Sequence, residues 1–163
     1  MKNASIKLII PVLTLFVSAA FAQQKTFTVD SFDEVIISPH IEVSFIQADQ
    51  ESVIIDNMDV GADKLNVEVK GNTLHIYLDD AKVYTKSEKV KTNEYKSRQS
   101  IYDGTQVTAR VFYKELNLLS LRGEETHKVE SPLKGDKLSL KIYGESRVYL
   151  TEIDLDEFRA TIY

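Results

Sequence analysis

No cysteine occurs among the 163 residues, so disulfides, cysteine-held metals and the lipid anchor of an exported lipoprotein are excluded. Basic residues are the scarcer charged class, 20 Lys and Arg against 25 Asp and Glu. A surface short of cations cannot neutralise a phosphate backbone, which argues against a nucleic-acid partner. Only three histidines are present, His40, His75 and His127, and no two have the close spacing of a metal site. His40 and His75 fall on the outward side of alternating strands, where a solvated imidazole is expected. There is no Gly-x-Ser-x-Gly elbow around Ser44, Ser139 or Ser146, no glycine-rich phosphate loop and no Gly-Gly-x-Gly-x-Asp calcium repeat. No catalytic residue, metal ligand or cofactor is therefore expected. Beyond position 22 no apolar run is long enough to span a bilayer.

The first 22 residues have the layout of a secretory signal. Lys2 and Lys7 supply the positive start, an apolar run over positions 8–20 follows, and Ala20-Phe21-Ala22 places small residues at both outer cleavage positions. The run is short for a membrane anchor and carries Pro11. Cleavage would leave Gln23 first, with 18 basic and 25 acidic residues and a net charge of −7. The chain is expected to be exported to the periplasm, the cell surface or the medium, as one domain over 23–163. With no cross-link available, its stability must come from burial.

In that exported part the hydrophobic pattern has period two, the mark of half-buried strands, and no helical stripe is evident. Ile41, Val43 and Phe45 alternate with His40, Glu42 and Ser44. Leu65, Val67 and Val69 run into Gly71-Asn72 and out through Leu74, Ile76 and Leu78, a hairpin whose glycine takes a positive φ. The spacing predicts an N-terminal β-meander.

The alternation lapses over about 82–103, read as a basic loop insertion. Over 82–98 six cations (Lys82, Lys86, Lys89, Lys91, Lys96 and Arg98) face two anions (Glu88 and Glu94). A local charge of +4 on a chain of net −7 makes this segment the candidate contact for anionic polymers. Tyr84 and Tyr95 add rings that can stack on sugars. The candidate ligand-binding residues are thus Lys82, Tyr84, Lys86, Lys89, Lys91, Tyr95, Lys96 and Arg98.

An internal repeat occupies the last third. Leu119, Leu121, Gly123 and Glu124 return 21 positions later as Leu140, Ile142, Gly144 and Glu145; Leu133, Leu138 and Ile142 return 20 positions later as Ile153, Phe158 and Ile162. Alternating strands that end on glycine at this period suit the coils of a parallel β-solenoid, with an antiparallel β-sandwich as the alternative. A leucine-rich repeat fails on Glu124 and Lys137.

The order of several short motifs carries a family resemblance. Phe27-x-Val29, Phe32-Asp33-x-Val35-x-Ile37, Ser38-Pro39, Ile41-x-Val43-x-Phe45-x-Gln47 and Val67-x-Val69-x-Gly71-Asn72-x-Leu74-x-Ile76 resemble the opening of DUF2807, or GIN, domains. Leu138 to Tyr143 followed by Gly144-Glu145-Ser146 is similar to the Gly-x-Ser corners of their repeats. The resemblance implies an all-β, right-handed parallel β-helix akin to pectin-lyase-like solenoids and an adhesive role in the bacterial envelope, without established enzyme activity. Three departures stand out: the corner Gly123-Glu124-Glu125 has no Ser, the basic stretch is inserted between the halves, and the sequence stops at Tyr163 on an ordinary repeat strand.

The resulting expectation is an exported, non-enzymatic, adhesin-like binding module of the envelope, whose partner is a glycan or a surface protein. The rivals are a carbohydrate-active enzyme on the same fold and a purely structural envelope protein. The enzyme reading needs clustered carboxylates. Its candidates, Glu124, Glu125, Glu145, Asp154, Asp156 and Glu157, read as solvated turns on a convex corner. The uncapped C-terminal strand is expected to pair with a second copy.

Overall fold

The computed structural model describes residues 24–91 and 96–163, with side chains assigned outside 89–98. The expected signal over 1–22 lies outside the described residues. No helix occurs among those described, so none is long and apolar enough to cross a membrane.

The strands in chain order are β1 (Lys25–Thr28), β2 (Glu34–Ile37), β3 (Ile41–Gln47), β4 (Ser52–Met58), β5 (Leu65–Lys70), β6 (Thr73–Leu78) and β7 (Ser87–Lys91). They continue as β8 (Lys96–Ser100), β9 (Val107–Tyr113), β10 (Leu118–Gly123), β11 (Thr126–Val129), β12 (Leu133–Gly144), β13 (Arg147–Leu150) and β14 (Ile153–Ile162). One six-stranded sheet has the order β1-β4-β9-β3-β11-β13, a second the order β14-β12-β10-β2-β6-β5, and β7 with β8 forms a small third.

The two large sheets bury their alternate side chains in one core. Ile41, Val43 and Phe45 of β3 join Val107, Ala109 and Val111 of β9 from the first sheet, and Val35, Ile37, Leu74, Ile76, Leu119 and Leu121 enter from the second. Each aliphatic side chain so buried contributes about 1.5–3 kcal/mol, which is what holds a chain without cross-links together. The layering is sandwich-like, as the alternative reading has it. The pairing is mixed, with β2-β6, β2-β10, β3-β9, β3-β11, β10-β12, β11-β13 and β12-β14 parallel and β1-β4, β4-β9 and β5-β6 antiparallel.

The repeat offsets are strand registers. Leu119 lies opposite Leu140 and Leu121 opposite Ile142; Leu138 lies opposite Phe158 and Ile142 opposite Ile162. The Gly71-Asn72 hairpin is present as read, with φ 65° at Gly71 and Lys70 opposite Thr73. The β-meander is corrected. Consecutive strands β2 and β3 belong to different sheets, and β3 pairs in parallel with β9 and β11. Alternation reports which face a side chain takes, not which strand lies beside it. The basic loop is corrected in part, because Ser87–Lys91 and Lys96–Ser100 pair as an antiparallel hairpin.

Candidate functional site

The chain crosses from the second sheet to the first four times at neighbouring positions: β2 to β3, β6 to β9, β10 to β11 and β12 to β13. The corners stack on one another. Glu145 N donates to Gly123 O at 2.9 Å, and the Ser146 hydroxyl donates to the same oxygen at 3.0 Å. Gly123 has φ 111°, and a Cβ there would meet the Glu125 carboxylate and come within 3.0 Å of Pro39 Cα. Only glycine fits that combination of backbone and space.

Glu125 stands where the next corner has Ser146, and it reaches the other way. Its Oε1 accepts from His40 N and its Oε2 from Glu124 N, both at 3.0 Å. Glu125 is 7 % exposed, so the expectation of a solvated turn carboxylate is wrong for it. A buried carboxylate needs such donors, and here they tie the Gly123 corner to the Pro39-His40 corner. Glu124 and Glu145 are solvated as expected.

The β6-to-β9 crossing is the enlarged one, running from Asp79 through the β7-β8 hairpin to Gln106. His40 holds both of its legs. Its Nδ1–H donates to Gly104 O at 2.7 Å, and the Thr85 hydroxyl donates to its Nε2 at 2.6 Å. His40 also carries φ 72°, an unusual conformation for a residue with a Cβ. The solvated imidazole expected at this position is therefore a clamp. Tyr102 packs beside it with ring centroids 5.6 Å apart and donates its hydroxyl to Asp79 O at 3.0 Å.

Between the clamped insert and the stacked corners lies a groove of about 610 Å³. Tyr84 and Asp103 line it from the insert, Arg122, Glu124 and Tyr143 from the corner side, and His40 and Glu125 also border it. Arg122 lies opposite Tyr143 in the β10-β12 register, its guanidinium 5.5 Å from that ring. The other face of Tyr143 stacks on Tyr163, centroids 4.5 Å apart and planes 2° from parallel. A groove of about 620 Å³ also crosses the outer face of the second sheet, past Glu34, Lys141 and Arg159, but no aromatic side chain lines it. The corner groove is the stronger candidate for a ligand.

Of the eight candidate ligand-binding residues, Tyr84 alone, 72 % exposed, is found lining this groove among the described side chains. Lys82 lies over the Tyr77 ring, 4.0 Å from its centroid, and Lys86 is paired with Asp80 at 2.5 Å. Lys89, Lys91, Lys96 and Arg98 fall on the hairpin strands with side chains outside the described set, and Tyr95 lies outside the described residues. His40, Asp103, Arg122 and Tyr143 were missed. The signal available was the pairing of Arg122 with Tyr143 at the 21-residue offset.

One serine–histidine contact warrants a chemical test. The Ser38 hydroxyl lies 2.9 Å from His75 Nε2 and donates its single hydrogen to Lys82 O at 2.6 Å. His75 Nε2 must then be the donor, so it cannot act as a base on Ser38. Ser38 is also fully buried. Burial, with the Lys82 and Arg122 cations nearby, lowers His75 to about 4. The expected solvated role of His75 is thus corrected as well: it fastens Lys82 to the end of β2. Beside it, hydrogen bonds from Lys70 and Tyr77 hold Glu68 at about 2, and the same contact pushes Tyr77 up to about 12.

Comparison with known proteins gives a consistent family. The sequence profile described as "Putative auto-transporter adhesin, head GIN domain" (DUF2807) matches residues 31–163. No curated protein matches the chain. Among solved structures, a putative adhesin from Bacteroides fragilis NCTC 9343 superposes with TM-score 0.65 at 18% identity, covering 85% of this chain and 57% of its own. A putative adhesin from Parabacteroides distasonis ATCC 8503 gives TM-score 0.61 at 21% identity, covering 85% and 52%. A protein from the same organism described as a putative lipid binding protein gives 0.57 at 18%, covering 86% and 62%. The chain thus spans between about half and three-fifths of these structures, and at such identities the likeness establishes the fold.

Proposed function

The chain belongs to the DUF2807 family of head GIN domains, and from that premise we propose that it is an exported, adhesin-like binding module whose ligand sits in the corner groove. The observation that carries the reading is the groove itself. It is bounded by an exposed tyrosine and by charged heads without hydrogen-bonding partners: Arg122, Asp103 and Glu124 have no side-chain hydrogen bond or ion pair among the described residues. Unpaired polar heads around an aromatic surface are what a recognition site presents before its ligand arrives. The layout over 1–22 supports export, and the description of the family as an adhesin head supports binding over catalysis. The polar rim fits a glycan or a surface protein better than an acyl chain.

We also infer a solenoid winding for the second half. From β9 onward the chain alternates between the two sheets at every strand and returns in parallel beside its own earlier pass, and such connections are right-handed in nearly all proteins.

The test uses beads coated with residues 23–163 or with the Tyr84→Ala and His40→Ala variants, applied to host epithelial cells and to bacterial envelope fractions. The parent protein is expected to adhere, Tyr84→Ala to lose most of that adhesion at unchanged stability, and His40→Ala to lose it through release of Thr85 and Gly104. Adhesion no greater than that of albumin-coated beads, or release of new reducing ends from polysaccharide by the purified protein, would overturn the reading.

A further inference from the structure

The charge and hydrogen-bonding character of the corner groove narrow the ligand further; this rests on the groove being the binding site. Among the described residues four charged side chains border it, Arg122 against Asp103, Glu124 and Glu125. Glu125 is spent, because its two oxygens already accept from His40 N and Glu124 N. That leaves one donor head and two acceptor heads facing a common space. An anionic polymer entering there would meet three carboxylates for one guanidinium, although the insert as a whole is basic. The described cations of the insert's first leg are engaged elsewhere, Lys82 on Tyr77 and Lys86 on Asp80.

A cationic ligand fits no better. It could pair with the carboxylates but would leave Arg122 without an acceptor, and the Tyr143 ring is already occupied by Arg122 and Tyr163. What satisfies a guanidinium and two carboxylates at once is a neutral group that both donates and accepts. Hydroxyls do this, and adjacent hydroxyls on a ring span two such heads. Tyr84 supplies the complementary apolar surface. It is 72 % exposed and has no ring partner among the described residues, so a flat C–H face has room to lie on it. The volume of about 610 Å³ accommodates a short stretch of sugar rings.

We infer that the groove takes a neutral saccharide, held by hydroxyl hydrogen bonds to Arg122, Asp103 and Glu124 and by stacking on Tyr84. Affinity electrophoresis of residues 23–163 in gels cast with dextran, yeast mannan or soluble starch, and in parallel with polygalacturonate or chitosan, tests it. At least one neutral polymer should retard the protein, with little change on adding salt, and Tyr84→Ala, Asp103→Ala and Arg122→Ala should each weaken the interaction by about tenfold at unchanged thermal midpoint. Retardation by none of the neutral polymers overturns the inference. Retardation by polygalacturonate or chitosan alone, still weakened by Tyr84→Ala and Asp103→Ala, leaves the groove as the site and refutes the ligand class. Retardation by a neutral polymer that none of the variants changes retains the saccharide and refutes the groove.

Discussion

Acidification should loosen this fold through one buried imidazole. His127 on β11 lies opposite Val148, has no exposed surface, and neither ring nitrogen has a hydrogen-bond partner among the described residues. Burial lowers it from 6.5 to about 4. The unfolded chain takes up a proton near 6.5 while the folded chain refuses it until about 4, so the stability is intact above 6.5 and is lost progressively as the pH falls toward 4. Each unit of that gap is worth about 1.4 kcal/mol, which gives a loss of about 2 kcal/mol at pH 5 and about 3 kcal/mol at the full span. His127→Leu keeps an apolar side chain of similar size and removes the titration. Urea unfolding of both proteins at pH 7.5 and pH 5 should show the parent losing about 2 kcal/mol more than the variant. The variant should also be the more stable of the two at pH 7.5, since it no longer buries two unpaired nitrogens. His75 and the carboxylates respond equally in both proteins, so the difference isolates His127. Parallel losses, equal within about 0.5 kcal/mol, would refute the argument.

Gly123→Ala should cost about 2–4 kcal/mol in urea unfolding, because the added methyl meets the Glu125 carboxylate in a left-handed backbone; a cost below about 1 kcal/mol would show that the corner relaxes around it. Signal processing should leave Gln23 as the first residue of protein recovered outside the cytoplasm, read by N-terminal sequencing, and recovery of intact Met1 from membranes would contradict the reading of positions 1–22. Residues 23–163 are predicted to self-associate through β14, where Phe158 and Ile162 are 40 % and 72 % exposed although their β12 counterparts Leu138 and Ile142 are buried. Tyr163 N donates to Ile142 O, so the alternate amide of Ala160 points away from β12, and Ala160→Pro should remove an edge donor without cutting the internal ladder. Light scattering over a dilution series should then show the variant shifted toward monomer, and a monomeric parent at high micromolar concentration would end the proposal.

What could be read from the sequence was whatever depends on a side chain's own face. The inward residues of β3 and β6 are those the period-two pattern marked, and the 20- and 21-residue offsets are the parallel registers of β10, β12 and β14. What could not be read depends on partners far along the chain. Alternation in β2 and β3 could not say that the chain changes sheets at Ser38–His40, so a meander was the natural reading. Lysines, serines and threonines concealed a hairpin because both of its strands lack an apolar side. The groove was half legible: Tyr84 was found because it interrupts a basic stretch, whereas Arg122, Asp103 and His40 gain their roles only when the insert folds back over the Gly123 corner.

The Asp79-to-Gln106 crossing shows how much extra chain a corner of this fold can carry. On one side of it β6 keeps its in-register pairing with β2, and on the other β9 keeps its pairing with β3, as though nothing had been added. A display position of this kind separates two problems that most proteins must solve together. The strands answer for folding, and the segment hung between them can carry other chemistry without altering their register. The same architecture invites grafting: a foreign peptide carried between Asp79 and Gln106 would be presented beside rather than inside the packed layers.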